Sequence, residues 1–227
     1  MEVEIVHRPG NSAAKVMLAP SESVTSEGGA MIGMSGDMSI TTSTHQRGGG
    51  GILKGLKRML GGENFFMNHY TAGQSGGEVW LASNLPGDME MVELTEGHGL
   101  IVQAGSFVAA EQTIDMDMSW QGFGKAFFSG EAMFWLRISG YGKVIMNSFG
   151  AIYPIQVDGE YIVDTGHIVA FDETIDFKIS KAGKSWIKSF LGGEGMVCRF
   201  NGQGTVWSQS HNPPSFGRTL GPMLPPR

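Results

Sequence analysis

The sequence predicts an all-β protein made of three tandem β units, with a pseudo-threefold arrangement in one chain and few short helices. Its 35 glycines are spread along 227 residues without a regular period, which favours many turns between short strands. Apolar and polar residues alternate in several short segments, as in half-buried antiparallel strands. One order of segments also occurs three times, which indicates an internal repeat.

The repeat begins with a Gly-Glu step that is followed by an apolar strand, a glycine turn and a second strand. The three steps are Gly62-Glu63, Gly130-Glu131 and Gly193-Glu194. The second strands read "GEVW" from Gly77, "GKVI" from Gly142 and "GTVW" from Gly204. The predicted units cover residues 1–86, 87–150 and 151–210 within a single triplicated β domain. Residues 211–227 form a tail rich in proline and glycine, either flexible or laid over a neighbour.

Strand periodicity is clearest in the second and third units. Ile114 and Met116 alternate with Asp115 and Asp117, and the segment from Ile175 to Ile179 has the same pattern. Such alternation predicts strands with one face in the core and one in water. The runs "AMFWLRI" and "MVCRF" are almost entirely apolar, so we expect both of their faces to be covered.

Composition narrows the functional classes. Apolar residues make up 41% of the chain, enough for a core, and the net charge of -6 argues against a protein that mainly neutralises phosphates. Cys198 is the single cysteine, so no intrachain disulfide can form. No signal peptide and no apolar run of membrane-spanning length is found, and we therefore expect a cytoplasmic protein.

The stretch "GGGGILKGLKRMLGGENFF" first suggests a phosphate-binding loop. It fails the pattern because Leu56 stands where the loop requires lysine, and no apolar strand precedes the glycines. The spacing predicts a short amphipathic helix instead. One face carries Ile52, Leu53, Leu56, Met59 and Leu60, and the other carries Lys54, Lys57 and Arg58.

Bulky apolar residues also precede the other two Gly-Glu steps, among them Trp120, Phe123, Trp186 and Phe190. A feature in all three units is typical of architecture, such as a plug at one end of each unit. The alternative is a set of apolar prominences for a partner or a membrane surface. This candidate interaction surface comprises Ile52, Leu53, Leu56, Lys57, Arg58, Met59, Leu60, Trp120, Phe123, Trp186 and Phe190.

Polar residues give no clear catalytic or metal site. The six histidines include no His-x-His or His-Glu-x-x-His pair. Asp164 and His167 form the best polar pair for acid–base chemistry, but their counterparts are Gln103 and Ser106, so a structural turn is the favoured interpretation. We therefore expect no enzyme activity, no cofactor and no metal, and we interpret the paired methionines as core residues.

Several segments together resemble one known family: "SEGGAMIGMSGDMSI", "LKRMLGGENFF", "GSFVAA", "GEYIVDTGHIVAF" and "GGEGMVCRFNGQGTVWSQS". In this order they are similar to the mitochondrial biogenesis family known for altered inheritance of mitochondria. The resemblance implies a fold like that of the trp RNA-binding attenuation protein, a short double-stranded β-helix, here present three times. It also implies ring assembly, so we expect a homotrimer, and it implies no catalytic residues.

We therefore expect a non-enzymatic, oligomeric β scaffold that binds a protein or a peripheral membrane surface. One alternative is a small-ligand-binding module. Another is RNA binding by analogy of fold, although no repeated set of lysines and arginines is found in the three units and nucleic acid is not the expected partner.

Overall fold

The structure is a computed structural model that describes residues 1–44, 66–117, 135–181 and 196–225. In these residues the chain is mostly β, as the sequence predicts, with one α-helix, α1 (Pro213–Leu220), and three short 3-10 turns. The strands are β1 (Glu2–Val6), β2 (Ala13–Leu18), β3 (Ser23–Glu27), β4 (Met31–Met34), β5 (Ser39–Thr44), β6 (Phe66–Thr71), β7 (Gly77–Ala82), β8 (Met89–Leu94), β9 (Leu100–Gln103), β10 (Phe107–Glu111), β11 (Ile114–Asp117), β12 (Trp135–Gly140), β13 (Gly142–Asn147), β14 (Ile152–Asp164), β15 (Ile168–Asp172), β16 (Asp176–Lys181) and β17 (Met196–Gln209).

These strands form three antiparallel sheets within the described ranges. The first has the order β1-β2-β7-β4 and the second has the order β5-β6-β3-β10-β13-β8. The third has the order β11-β12-β9-β15-β17-β14, with β16 also paired to β17. Antiparallel pairing throughout agrees with the short connections between successive strands.

Each larger sheet consists of three-strand sets, in which a central strand lies between two partners. The second sheet joins the set β5-β6-β3 to the set β10-β13-β8, and the third joins β11-β12-β9 to β15-β17-β14. The first sheet contains the set β4-β7-β2, and the first half of β17 lies between β14 and β16. Sets of one kind have β4, β10 or β15 at an edge, and sets of the other kind have β3, β9 or the end of β14 at an edge, so each kind occurs three times. The unit boundaries and the double-stranded β-helix form stay predictions.

A register shift of one residue marks matching positions in three of the sets. It falls at Met31/Gly33 in β4, at Phe107/Ala109 in β10 and at Ile168/Ala170 in β15. An extra residue at such a bulge bends the strand and increases its twist. The three strands therefore have a common local geometry, although their sequences differ.

Two edge-to-edge joins connect neighbouring sets. In the first join, between β3 and β10, Ser26 lies opposite Ala109 and Thr25 opposite Ala110. In the second join, between β9 and β15, the corresponding pairs are Val102 with Ala170 and Ile101 with Phe171. The register is the same relative to the bulge, so the two joins are built alike.

Three apolar clusters fill the spaces next to the sheets. One lies between the first and second sheets and contains Val16, Tyr70 and Ile145; a second, with Leu100 and Leu136, lies between the second and third sheets. The third lies on the other face of the third sheet, around Phe171. Each cluster draws on strands from different sets, so burial of apolar surface stabilises the sets against one another.

The predicted strand patterns are found where the structure describes them. Ile114 is buried at the start of β11 and Asp117 is exposed at its end. In β12, Leu136 packs in the second cluster and its neighbour Trp135 in the third, so both faces of this apolar run are covered. Met89 is fully buried, as expected for a core methionine.

Glycine is required at position 87, where the connection from β7 to β8 runs beside the connection from β13 to β14 in a parallel bridge between Gly87 and Gly150. The Gly87 carbonyl accepts a hydrogen bond from the Ser12 amide at 3.0 Å, and the Gly150 amide donates to the Pro86 carbonyl at 3.1 Å. A Cβ atom on Gly87 would lie only 1.9 Å from the Ser148 carbonyl oxygen. No side chain fits there without movement of the backbone.

We predict that Gly87→Ala lowers the free energy of unfolding by about 2–3 kcal/mol, because the added methyl group would overlap the Ser148 carbonyl oxygen and force the backbone to move. Urea denaturation of the two proteins measures the difference. Gly36→Ala is the matched control, since a Cβ atom on Gly36 has no neighbour within 4 Å. Equal loss of stability in both variants would contradict this account.

One carboxyl group lies at the end of β3, beside the first join. Glu27 stands opposite the fully buried Met67, on the same face of the strand as Thr25. Removal from water disfavours the ionised form and raises the pKa of Glu27 from 4.5 to about 7. Between these two pH values the folded protein therefore binds a proton that the unfolded chain has lost, so stability falls as pH rises.

We predict that Glu27→Gln is more stable than the wild-type protein above pH 7, by up to about 3 kcal/mol. Below pH 4.5 the two should unfold alike, because the carboxyl group is then protonated in both states. Urea denaturation at a series of pH values measures this. Glu4→Gln, at an exposed position, is the control for the loss of one carboxyl group.

Candidate interface at the open strand edges

The sequence-derived interaction surface cannot be placed on this fold. Its members lie outside the described residues: Ile52, Leu53, Leu56, Lys57, Arg58, Met59, Leu60, Trp120, Phe123, Trp186 and Phe190. Their burial or exposure therefore stays a prediction.

The other polar candidates, Asp164 and His167, are located in a 3-10 turn between β14 and β15. The Asp164 carboxylate caps this turn by accepting a hydrogen bond from the Gly166 amide at 2.8 Å. His167 Nδ1 donates to the Gln209 carbonyl at 2.8 Å, and the Gln209 side-chain amide donates to the Gly166 carbonyl at 3.1 Å. These contacts tie the turn to the end of β17, which favours the structural interpretation of the pair.

Among the described residues, no three His, Cys, Asp or Glu side chains are grouped so that they could hold a metal ion. In the same part of the chain, no helix has the length and apolar character needed to span a bilayer.

A feature that sequence reasoning missed is the open edge of β4. In the described residues β4 pairs only with β7, whereas β10 and β15 each pair on both sides. Met31 and Ile32 are 40% and 60% exposed. Their counterparts are almost fully buried: Phe107 and Val108 in β10, and Ile168 and Val169 in β15. The side of β4 that remains open is the side that forms a join in β10 and β15.

The second open edge is formed by the last five residues of β14. Within the described ranges, Glu160–Asp164 pair only with β17. Tyr161 and Ile162 are each 44% exposed, while Leu100 and Ile101 at the matching positions of β9 are fully buried by the join to β15. The described strands thus leave one edge of each kind unused.

Charged side chains near these edges are paired within the chain. Arg199, which lies opposite Ile162, forms an ion pair with Glu160 at 3.2 Å. Arg137 occupies the matching position opposite Ile101 and forms an ion pair with Glu173, whose hydrogen bond raises the pKa of Arg137. Both arginines thus have carboxylate partners, which reduces the positive charge that they offer to a phosphate.

The open edges leave little trace in the sequence. "EYIVD" in β14 and "GLIVQ" at β9 each have three apolar residues in the middle, yet Tyr161 and Ile162 are exposed while Leu100 and Ile101 are buried. The one signal was their equivalence in the repeat: among the described residues, β4 and the end of β14 lack the second partner that their counterparts have.

Comparisons with known proteins agree with this fold. The family model described as mitochondrial biogenesis AIM24 matches residues 3–211. An uncharacterized protein of Streptococcus pyogenes serotype M6 is 31% identical over 208 residues, covering 89% of this chain and 83% of the relative. The crystal structure of protein SPYM3_0169 from Streptococcus pyogenes superposes with a TM-score of 0.79 at 27% identity, covering 98% of this chain and 99% of that one. The chain therefore belongs to the mitochondrial biogenesis AIM24 family.

Proposed function

We propose that this protein is a non-enzymatic, oligomeric β scaffold whose copies join head to tail. The end of β14 in one copy pairs with β4 of the next. One observation carries this proposal: within the described part of the chain each kind of edge is used twice, and one edge of each kind is left over. Equivalent surfaces form equivalent contacts, so the leftover edges are suited to each other.

The internal joins also give the register of the proposed contact. Val163 matches Val102, which lies opposite Ala170, and the counterpart of Ala170 in β4 is Gly33. Val163 would therefore lie opposite Gly33 of the neighbouring copy. In the same way Ile162 would lie opposite Met34, and Tyr161 opposite Ser35.

The composition of β4 supports association. Exposed edge strands in proteins are usually protected by charged side chains, proline or a covering segment. The sequence of β4 is Met-Ile-Gly-Met, which has neither a charge nor a proline. Pairing would remove apolar side chains from water and satisfy backbone groups on both strands.

Contacts of this kind are head to tail, so they form a closed ring if the rotation between copies permits it. A trimer is the stoichiometry that the family resemblance implies, and we retain it in the proposal. Such a ring would repeat the candidate apolar segments on one assembly and present them to a protein or a peripheral membrane surface.

We predict that Ile162→Glu weakens self-association by at least about tenfold, because it places a charge in the apolar contact with Met34 of the next copy. Glutamate is suitable because residue 162 lies opposite Arg199, which can pair with the new charge within one folded chain. Analytical ultracentrifugation over a concentration series measures the association.

Tyr141→Glu is the matched control, since Tyr141 is 53% exposed but lies in the turn between β12 and β13. It should associate like the wild-type protein. A wild-type chain that stays monomeric at high micromolar concentration would refute the oligomeric proposal.

We also predict that Ile162→Cys combined with Met34→Cys forms a disulfide between copies under mild oxidation, because directly opposite residues bring their Cβ atoms to about 5 Å. Non-reducing electrophoresis detects the covalent oligomer. Native Cys198 is fully buried, so it should not compete.

The register control replaces Met34→Cys by Ile32→Cys, which moves the second thiol two residues along β4 to a diagonal separation of about 7–8 Å. Cross-linking should then be much slower. Equal rates would contradict the proposed register, and a disulfide formed only within one chain would contradict assembly through these edges.

A further inference from the structure

The segment after β17 folds back against the end of the molecule that carries the open edge of β14. Its helix α1 begins after Asn212, whose side chain caps it by accepting a hydrogen bond from the Ser215 amide at 3.1 Å. Phe216 then packs edge to face on Phe149, with ring centroids 5.2 Å apart. A 3-10 turn, Gly221–Met223, continues the segment.

The start of α1 is fixed to the turn that follows β14. The Asn212 side chain contacts Gly166, where a Cβ atom would lie only 2.0 Å from Asn212 Nδ2. His167 and Gln209 add two hydrogen bonds between this turn and the end of β17. The position of α1 is therefore coupled to the open edge, because both adjoin the same turn.

Apolar side chains of α1 and of the residues after it remain partly in water. Phe216 and Leu220 lie four residues apart and so share one helix face, and they are 46% and 38% exposed. Met223 and Leu224 are still more exposed, at 76% and 58%. A helix this short and this exposed gains little stability from the chain that carries it.

We propose that α1 and the turn after it form a strap that covers Met31 and Ile32 of the neighbouring copy. This inference rests on the proposed head-to-tail assembly and names a second contact within it. The internal joins pair no residue of β10 or β15 before Ala109 or Ala170, so the proposed strand pairing ends where Val163 lies opposite Gly33. Asp164 then comes next to Ile32. The 3-10 turn Thr165–His167, to which α1 is fixed, then lies beside Met31 of the neighbour.

Strand pairing by itself does not cover both of these side chains. Adjacent residues of a strand point to opposite faces, so at least one of Met31 and Ile32 stays at the surface after the edges pair. Their counterparts in β10 and β15 are covered to 98% or more, which shows how fully this position is buried at an internal join. The strap supplies the missing apolar cover from the copy that also supplies β14.

The first test places a photoreactive amino acid at Ile32 in the full chain and mixes isotopically heavy and light copies. We expect heavy-to-light cross-links whose partner peptide contains residues 213–224, identified by mass spectrometry. Ile32 is 60% exposed in the single chain, so this replacement should fold.

The second test is Leu220→Glu combined with Met223→Glu, which removes the apolar face of the strap. We expect self-association to weaken about tenfold, since two largely exposed apolar side chains lose their burial in the interface. Arg218→Glu adds an acidic residue to the opposite face of α1 and should associate like the wild-type protein. Thermal unfolding of each variant at low concentration checks that the single chain is intact.

The outcomes separate the strap from the scaffold. If the Ile162–Met34 cysteine pair cross-links copies but Ile32 never reaches residues 213–224, the strap is wrong and the scaffold stands. Wild-type association by the Leu220 and Met223 double variant would also overturn the strap. If copies do not associate at all, both proposals fail.

Discussion

Backbone pairing between the edges of neighbouring three-strand sets is the constraint on which the rest of the structure depends. Two such joins, β3 with β10 and β9 with β15, convert separate small sets into two large sheets. Three strands with one apolar face are close to the minimum for independent stability, and larger sheets bury more of that face. The apolar clusters on either side of the sheets form because the joins hold strands from different sets in register.

The same constraint explains why identical kinds of residue have different surroundings. Phe107 and Ile168 are fully buried because their strands have partners on both sides, while Met31 at the matching position is partly exposed on a one-sided strand. Met31 is therefore exposed because β4 has one partner strand among the described residues, and not because its side chain differs in character from those of Phe107 and Ile168. This origin of the surface is why we propose that like copies associate through it.

Several polar side chains near the open edges are held by contacts within the described residues. Asp164 and His167 fix a turn, and Arg137 and Arg199 are paired with carboxylates on neighbouring strands. The solved relative from Streptococcus pyogenes shares this architecture over its whole length. The open edges and α1 are among the described surfaces where apolar side chains remain in water.

The sequence by itself determined the all-β class, the family and much of the core, because these depend on local periodicity and on the order of motifs. The alternation of Ile114 with Asp115 is visible in the chain and reappears as one buried and one exposed face. Only the tertiary structure decided which apolar strands are covered, because coverage depends on pairing between residues far apart in sequence. Ile101 and Ile162 stand in similar sequences. Ile101 is buried because β15 pairs beside it, whereas Ile162 has no such neighbour among the described residues.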